Sequence, residues 1–202
     1  MADSRLRGGG QRGLYAEPEP SVTTGRPIFY FDFSSPECWL AAERVNHVLA
    51  TVPVWLPVRV AGAGRPPTAH ELDELDRRAV AQNLPPPRLP EPWPHDLDLP
   101  LRAATFAAAS GRVVAFSLAA LRQAFTAGRD LSRPDNVLIS AAACELHPRA
   151  VLKGIESRSI EERLRAATAE AVTRDVREVP TVIARNRLFT GSNAVEEAAR
   201  AG

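Results

Sequence analysis

Only two cysteines, Cys38 and Cys144, occur in the 202 residues. They lie too far apart in sequence to form a disulfide framework or a metal-ligand pair. That scarcity argues against a stapled secreted scaffold or a zinc module and fits a reducing compartment. An excess of charge of either sign is missing as well: 25 Lys and Arg face 24 Asp and Glu, for a net charge of +1 and a pI near 7.9. No global field therefore recruits nucleic acid or anionic lipid. Nowhere do about 18 apolar residues run together, as a spanning helix requires. Residues 1–27 also lack the apolar stretch of a signal peptide. These absences predict a soluble, cytoplasmic protein with no metal, no nucleic-acid partner and no membrane.

With 45 % hydrophobic residues, the chain can bury one core with an elaboration, but hardly two. Residues 1–26 combine Gly8-Gly9-Gly10, several arginines and Glu17-Pro18-Glu19-Pro20. They have too few apolar side chains to offset the entropy of ordering them, so a disordered tail is expected there. A single domain is expected over 27–202.

The first structured segment is Ile28-Phe29-Tyr30-Phe31-Asp32-Phe33. Apolar and aromatic with little alternation, it reads as a strand buried on both faces and ending at Ser34. Asp32 then lies inside a strand and is structural rather than a general base. Pro36 suits the first turn of a helix capped by Ser34 or Ser35, with Trp39, Leu40, Val45, Val48 and Leu49 as its apolar face. A second strand, Val54 to Val60, completes a β-α-β unit of parallel strands. Pro57 points to an edge position or a break.

Eleven of the eighteen prolines fall between residues 53 and 100, interrupted by a helix over Thr68–Asn83 that Thr68 and Glu71 open as a capping box. From Pro100 to Arg174 strand signal is almost absent. Helical spacing recurs over Leu101–Ala109, Val113–Phe125, Asn136–Leu146, Val151–Ile155 and Ile160–Val172. Ser132 and Ser159, each followed three residues later by an acid, mark two helix starts. Strand character returns at Thr181–Ala184 and Arg187–Thr190, joined by Arg185-Asn186 as a tight turn, before a short helix from about Asn193.

The order β-α-β, a block of helices, then β-β-α is an α/β, thioredoxin-like fold with an all-helical insertion over about 61–175. Tyr30-Phe31-Asp32-Phe33-Ser34-Ser35-Pro36 with Trp39-Leu40-Ala41 resembles the start of 2-hydroxychromene-2-carboxylate isomerases and kappa-class glutathione transferases. These form a branch of the DsbA-like thioredoxin superfamily. Val179-Pro180-Thr181 with Leu188-Phe189-Thr190-Gly191-Ser192-Asn193 resembles the same branch near its C-terminus. The resemblance runs from about Pro27 to Gly202 and is weakest over 61–95.

A helix N-terminus stabilises an anion. In a redox thioredoxin that anion is the first thiolate of Cys-x-x-Cys, and here the position is Ser35. A serine hydroxyl cannot exchange disulfides, but it can donate a hydrogen bond to a thiolate carried by a ligand. The resemblance gives Ser35 that catalytic role, with glutathione or another low-molecular-weight thiol as cofactor. Cys38, one turn in, is either a small buried hydrophobe or a one-cysteine redox site whose pKa the helix terminus lowers.

Pro180 is either a strand-opening proline or the cis-proline of the superfamily. In the second case Val179 offers its N–H and C=O to an extended ligand as an added strand. Ser192 and Asn193 read as an N-cap, with Glu196 three residues beyond Asn193. The resemblance makes them cofactor-binding, with Asn193 in place of an acidic residue, which halves the strength of that hydrogen bond, roughly. The shortened loop 61–67 offers only Arg65 where relatives carry an asparagine and a lysine. Trp93, His95 and Asp96 would border a substrate cavity supplied by the insertion. His47, His70 and His147 are weaker candidates.

Three functions follow. One is a thiol-dependent isomerase or transferase acting on a small, aromatic or electrophilic substrate. The second is a DsbA-type oxidoreductase working through Cys38. The third is a non-catalytic thioredoxin-fold binding protein. A homodimer is compatible with each.

Overall fold

The computed structural model describes residues 25–60, 67–94 and 96–201. Most of the expected tail, the loop 61–66 with Arg65, and His95 lie outside the described residues. The first strand, β1, runs Ile28–Phe31 with all four residues buried. Phe29 and Phe31 set their rings edge-on to Trp55, at centroid distances of 4.9 and 5.4 Å. Ile28 and Tyr30 join a second cluster, because successive strand side chains point to opposite faces.

Helix α1 (Pro36–Val48) leads to β2 (Val54–Pro57), which pairs parallel to β1 with Ile28 opposite Val54. Strand β3 (Thr181–Ala184) pairs antiparallel to β1, and β4 (Arg187–Thr190) antiparallel to β3. The sheet order is β2-β1-β3-β4. Pro57 therefore closes an edge strand, where its missing N–H costs little. Arg185 and Asn186 have φ of 49° and 60°, the left-handed pair that a two-residue hairpin needs.

Six helices lie between the halves of the sheet: α2 (Ala69–Ala81), α3 (Asp98–Ala109), α4 (Val113–Phe125), α5 (Pro134–Ala143), α6 (Pro148–Ile155) and α7 (Arg158–Thr173). Helix α8 (Ala194–Arg200) ends the described chain. The larger core joins Phe29, Phe31, Val182 and Phe189 to Trp39 and Leu40 of α1, Phe116 and Leu121 of α4, and Val195 of α8. On the other face Ala171 of α7 and Val176 cover Ile28, Tyr30 and Val58. The sheet is thus sandwiched between helices, as the uninterrupted apolar character of β1 requires. No helix among the described residues is long and apolar enough to cross a membrane.

Several boundaries differ from those read in the sequence. Strand β1 stops at Phe31, so Asp32 follows the strand instead of lying inside it. The chain turns there because the Asp32 carboxylate accepts from Ser34 N at 2.8 Å and Ser34 Oγ at 2.6 Å. Strand β2 stops at Pro57, and beyond it Arg59 N donates to Thr168 Oγ1 of α7 at 3.0 Å. The capping box at Thr68 and Glu71 is present, but α2 ends at Ala81, with Asn83 at φ 57°.

Ser132 and Ser159 cap nothing. Ser132 is bound through N and Oγ to Asp130, at 2.9 and 2.7 Å, and α5 starts at Pro134. Helix α7 starts at Arg158 after Ser157, so Ser159 lies within its first turn. Proline at the first helical position, as at Pro134 and Pro148, fixes φ and sets a start that acid spacing alone does not reveal.

Candidate active site

Helix α1 is entered through Ser35, whose extended backbone (φ −145°, ψ 147°) makes it the N-cap, followed by Pro36. Ser35 Oγ accepts from Cys38 N at 3.4 Å, and Ser35 O accepts from the same N–H at 3.1 Å. The hydroxyl proton has no acceptor among the described residues. Ser35 is half-buried, so this proton is available at a site of partial positive charge.

Cys38 is fully buried, and its Sγ lies 3.8 Å from Asp32 Oδ1. Burial first, and then the Asp32 charge, push the thiol well above its ordinary pKa. Of the two readings of Cys38, its position fits the small buried hydrophobe; the lowering that a redox site needs is not there, because the sulfur points into the core, where desolvation outweighs the terminal dipole. Asp32 itself is pushed up to about 6 by burial, which the hydrogen bonds from Ser34 and Cys38 only partly counter. Cys144 is buried in the helical block, donates to Ala141 O at 3.2 Å, and is likewise pushed up by burial.

The second wall is Val179-Pro180, joined by a cis peptide bond. The β1–β3 ladder ends at Tyr30 and Thr181, so Phe31 and Pro180 leave the sheet at the same end. Pairing of Thr181 with Thr190 leads likewise to Gly191, whose N–H donates to Pro180 O at 2.9 Å. The chain segments after β1, before β3 and after β4 therefore meet at one end of the sheet. Val179 is half-buried, and its backbone N–H and C=O have no partner among the described residues. This unpaired edge suits an extended, amide-bearing ligand.

The third wall is Ser192-Asn193. Asn193 is exposed and precedes α8 without a side-chain capping bond. Glu196, expected to complete that cap, instead forms an ion pair with Arg44 of α1. Ser192 O accepts from Arg78 Nη2 at 2.5 Å, while Arg78 Nη1 lies 2.6 Å from Glu37 Oε2. Sequence reading missed Arg78. The available signal was its place three residues after Leu75 and one before Ala79, on the buried side of α2.

The described contacts of the remaining candidates lie elsewhere. Trp93 stacks edge-on against Phe125 of α4 at 6.1 Å. Asp96 Oδ1 accepts from Asp98 N at the start of α3. His47, His70 and His147 are exposed, and His147 Nδ1 accepts from Arg149 N as the cap of α6. Among the described residues no three His, Cys, Asp or Glu side chains gather to hold a metal ion. A groove of about 660 Å³ lies within the insertion, lined by Phe106, Lys153, Ser157, Ile160 and Arg163 of α3, α6 and α7 and their junctions. It shares no residue with the three walls of the cleft.

The DSBA-like thioredoxin domain family matches residues 28–201. No curated protein matches the sequence. Among solved structures, 2-hydroxychromene-2-carboxylate isomerase is similar at 18 % identity, over 87 % of this chain and 93 % of that one, with a TM-score of 0.73. A probable DsbA oxidoreductase from Streptomyces coelicolor is similar at 19 % identity, over 87 % of each chain, with a TM-score of 0.71. A DsbA from Pseudomonas aeruginosa is similar at 13 % identity, over 92 % of this chain and 90 % of that one, with a TM-score of 0.58. At such identities the likeness establishes the fold.

Proposed function

The chain belongs to the DSBA-like thioredoxin domain family, and from that premise we propose that it is an isomerase or transferase using a low-molecular-weight thiol of the glutathione kind. The observation that carries this reading is the Ser35 hydroxyl, at the N-cap of α1 with a proton that no group among the described residues accepts. Ser35 is the catalytic residue: it donates to the ligand's sulfur, and the helix terminus favours the thiolate. Val179 holds the ligand backbone as an added strand beside Pro180, and Ser192 and Asn193 bound its far end.

In the isomerase version, the ligand thiol gives its proton to solvent and the thiolate adds to a conjugated carbonyl compound. A C–S bond forms and the C=C electron pair moves to the carbonyl oxygen as an enolate. Rotation about the resulting single bond precedes elimination, which breaks the C–S bond and returns the thiolate. No oxidant or reductant is consumed. In the transferase version the C–S bond is kept and the enolate is protonated by solvent.

An oxidoreductase working through Cys38 has little support, because that sulfur is fully buried and its pKa is raised. A reducing, cytoplasmic setting agrees with two cysteines that both remain free. The deciding experiment is titration calorimetry with glutathione, and with mycothiol as a second thiol, on the wild-type protein and on Ser35→Ala. Binding of one thiol that is weakened in Ser35→Ala supports the reading. No heat with either thiol removes it. Unchanged activity in Ser35→Ala moves the assignment to a non-catalytic binding protein.

A further inference from the structure

We propose that Arg78 of α2 is the positioning residue of this cleft, locking the Ser192 segment to the corner helix and offsetting the charge of Glu37 beside the thiol subsite. The ligand side of this inference rests on the functional reading above. The tie between the elements does not.

The Arg78 side chain is only 16 % exposed. By hydrogen bond and ion pair it joins the insertion to both Glu37 on α1 and Ser192 before α8. A guanidinium is a planar fork, so one side chain can meet a carboxylate with one nitrogen and a carbonyl with the other. Arg78 does both, at 2.6 and 2.5 Å.

The electrostatic part follows from the position of Glu37. It is the second residue of α1 and lies between the Ser35-Pro36 corner and Cys38. Its negative charge already acts to raise the Cys38 thiol. A ligand thiolate at Ser35 would meet the same field, which opposes the effect of the helix terminus. Arg78 supplies the counter-charge at Glu37. Among the described residues, the ionisable groups around the cleft include Asp32 and Cys38 beneath the corner, Arg44 paired with Glu196 between α1 and α8, Glu74 one turn earlier on α2, and Glu178 before the cis bond. Arg44 is lowered by burial and next by the positive charge of Arg78, which places the two guanidinium groups in one electrostatic neighbourhood.

Two measurements on the intact protein test the proposal. The first is the pH titration of bound glutathione, followed by thiolate absorbance in the ultraviolet, for wild type, Arg78→Gln, Glu37→Gln and the double variant. Arg78→Gln is expected to raise the bound thiol's pKa by about one unit, a tenfold loss of thiolate below the midpoint. Glu37→Gln is expected to lower it, and the double variant to return near wild type. Shifts of the same sign in the two single variants, or no shift in either, overturn the charge-offsetting role. General damage to the fold does not produce opposite shifts that cancel.

The second measurement needs no ligand. Hydrogen exchange at the amides of Gly191 and Ala194, both hydrogen-bonded in the structure, is expected to quicken at least tenfold in Arg78→Gln and also in Arg78→Lys. The lysine keeps the charge and so should leave the thiol titration close to wild type. Unchanged exchange in both variants overturns the locking role. A wild-type protein showing no thiolate signal with either glutathione or mycothiol overturns the functional reading and the charge role that depends on it, while the exchange result still decides the tie between α2 and Ser192.

Discussion

Cys38 Sγ and Asp32 Oδ1 lie 3.8 Å apart beneath the corner that Ser35 caps, and both residues are shut off from solvent. The Asp32 charge makes ionisation of Cys38 harder, since two anions at that distance in a poorly solvated site repel strongly, whereas the neutral thiol, as a donor, slightly eases ionisation of Asp32. The sulfur therefore remains a thiol donating toward the carboxylate. The chain's own cysteine thus lies buried one turn inside the helix, and the polar side chain at the helix start is the half-buried serine.

The first prediction concerns thiol reactivity. With Cys38 at 0 % and Cys144 at 5 % exposure, and both pKa values raised, neither should react quickly with a thiol-specific disulfide reagent in the native protein. Both should react once the chain is unfolded. Cys38→Ala should keep thiol-dependent activity within about twofold and cost on the order of 1 kcal/mol of stability, the range of a small core truncation. A fast-labelling native Cys38 would restore the redox reading.

Asp32 gives a second prediction, with a definite sign. Its folded pKa of about 6 lies above the ordinary 3.8, so between those values the native state binds a proton that the unfolded chain does not. This contribution to stability is present in full below the unfolded pKa and disappears as pH rises through about 6. The two-unit difference corresponds to ~3 kcal/mol. Comparing urea unfolding of wild type and Asp32→Asn from pH 4 to 7, the asparagine variant should gain relative to wild type as pH increases. A flat difference across that range would mean that Asp32 does not hold a raised pKa.

Much of this arrangement could be read in the sequence because the governing interactions are local. Ser35-Pro36 before an apolar helix, Thr68 with Glu71, and Arg185-Asn186 between two apolar runs each specify their own backbone through caps and turns. The limits of α4, Val113–Phe125, follow directly from its helical periodicity. Arg78 was hidden because its partners, Glu37 and Ser192, lie 41 and 114 residues away, and no local pattern encodes such a meeting. The two readings of Cys38 stayed open for a related reason: helix position gives the dipole, but whether a side chain faces core or solvent decides the desolvation that outweighs it.

A third prediction tests the packing of the insertion. Gly154 on α6 faces the Phe106 ring of α3 so closely that an added Cβ would lie 2.3 Å from Phe106 Cδ2. Helical propensity alone favours alanine over glycine, yet overpacking a tight contact costs about 1–3 kcal/mol. Gly154→Ala should therefore lower stability in chemical denaturation, and Gly154→Ala combined with Phe106→Leu should recover part of the loss. A stabilised single variant would show that α3 and α6 separate readily.

The last prediction converts the corner. Ser35→Cys restores a thiol at the N-cap, three residues before Cys38, in the Cys-x-x-Cys spacing whose first member is the low-pKa, exposed nucleophile. The new thiol can be reached by oxidised glutathione. Attack by its thiolate forms a mixed disulfide and releases one glutathione, and Cys38 then displaces the second, leaving an intrachain disulfide and two reduced glutathiones. Dithiothreitol should reverse that state, so the variant should catalyse insulin reduction where the wild-type protein does not, and should lose thiol-dependent isomerase or transferase activity. The variant's redox equilibrium with glutathione can be read from mass shifts after alkylation. If oxidation stops at the mixed disulfide, Cys38 is held too firmly in the core beside Asp32 to complete the exchange, and the burial that silences it in the wild-type chain persists when a partner thiol is provided.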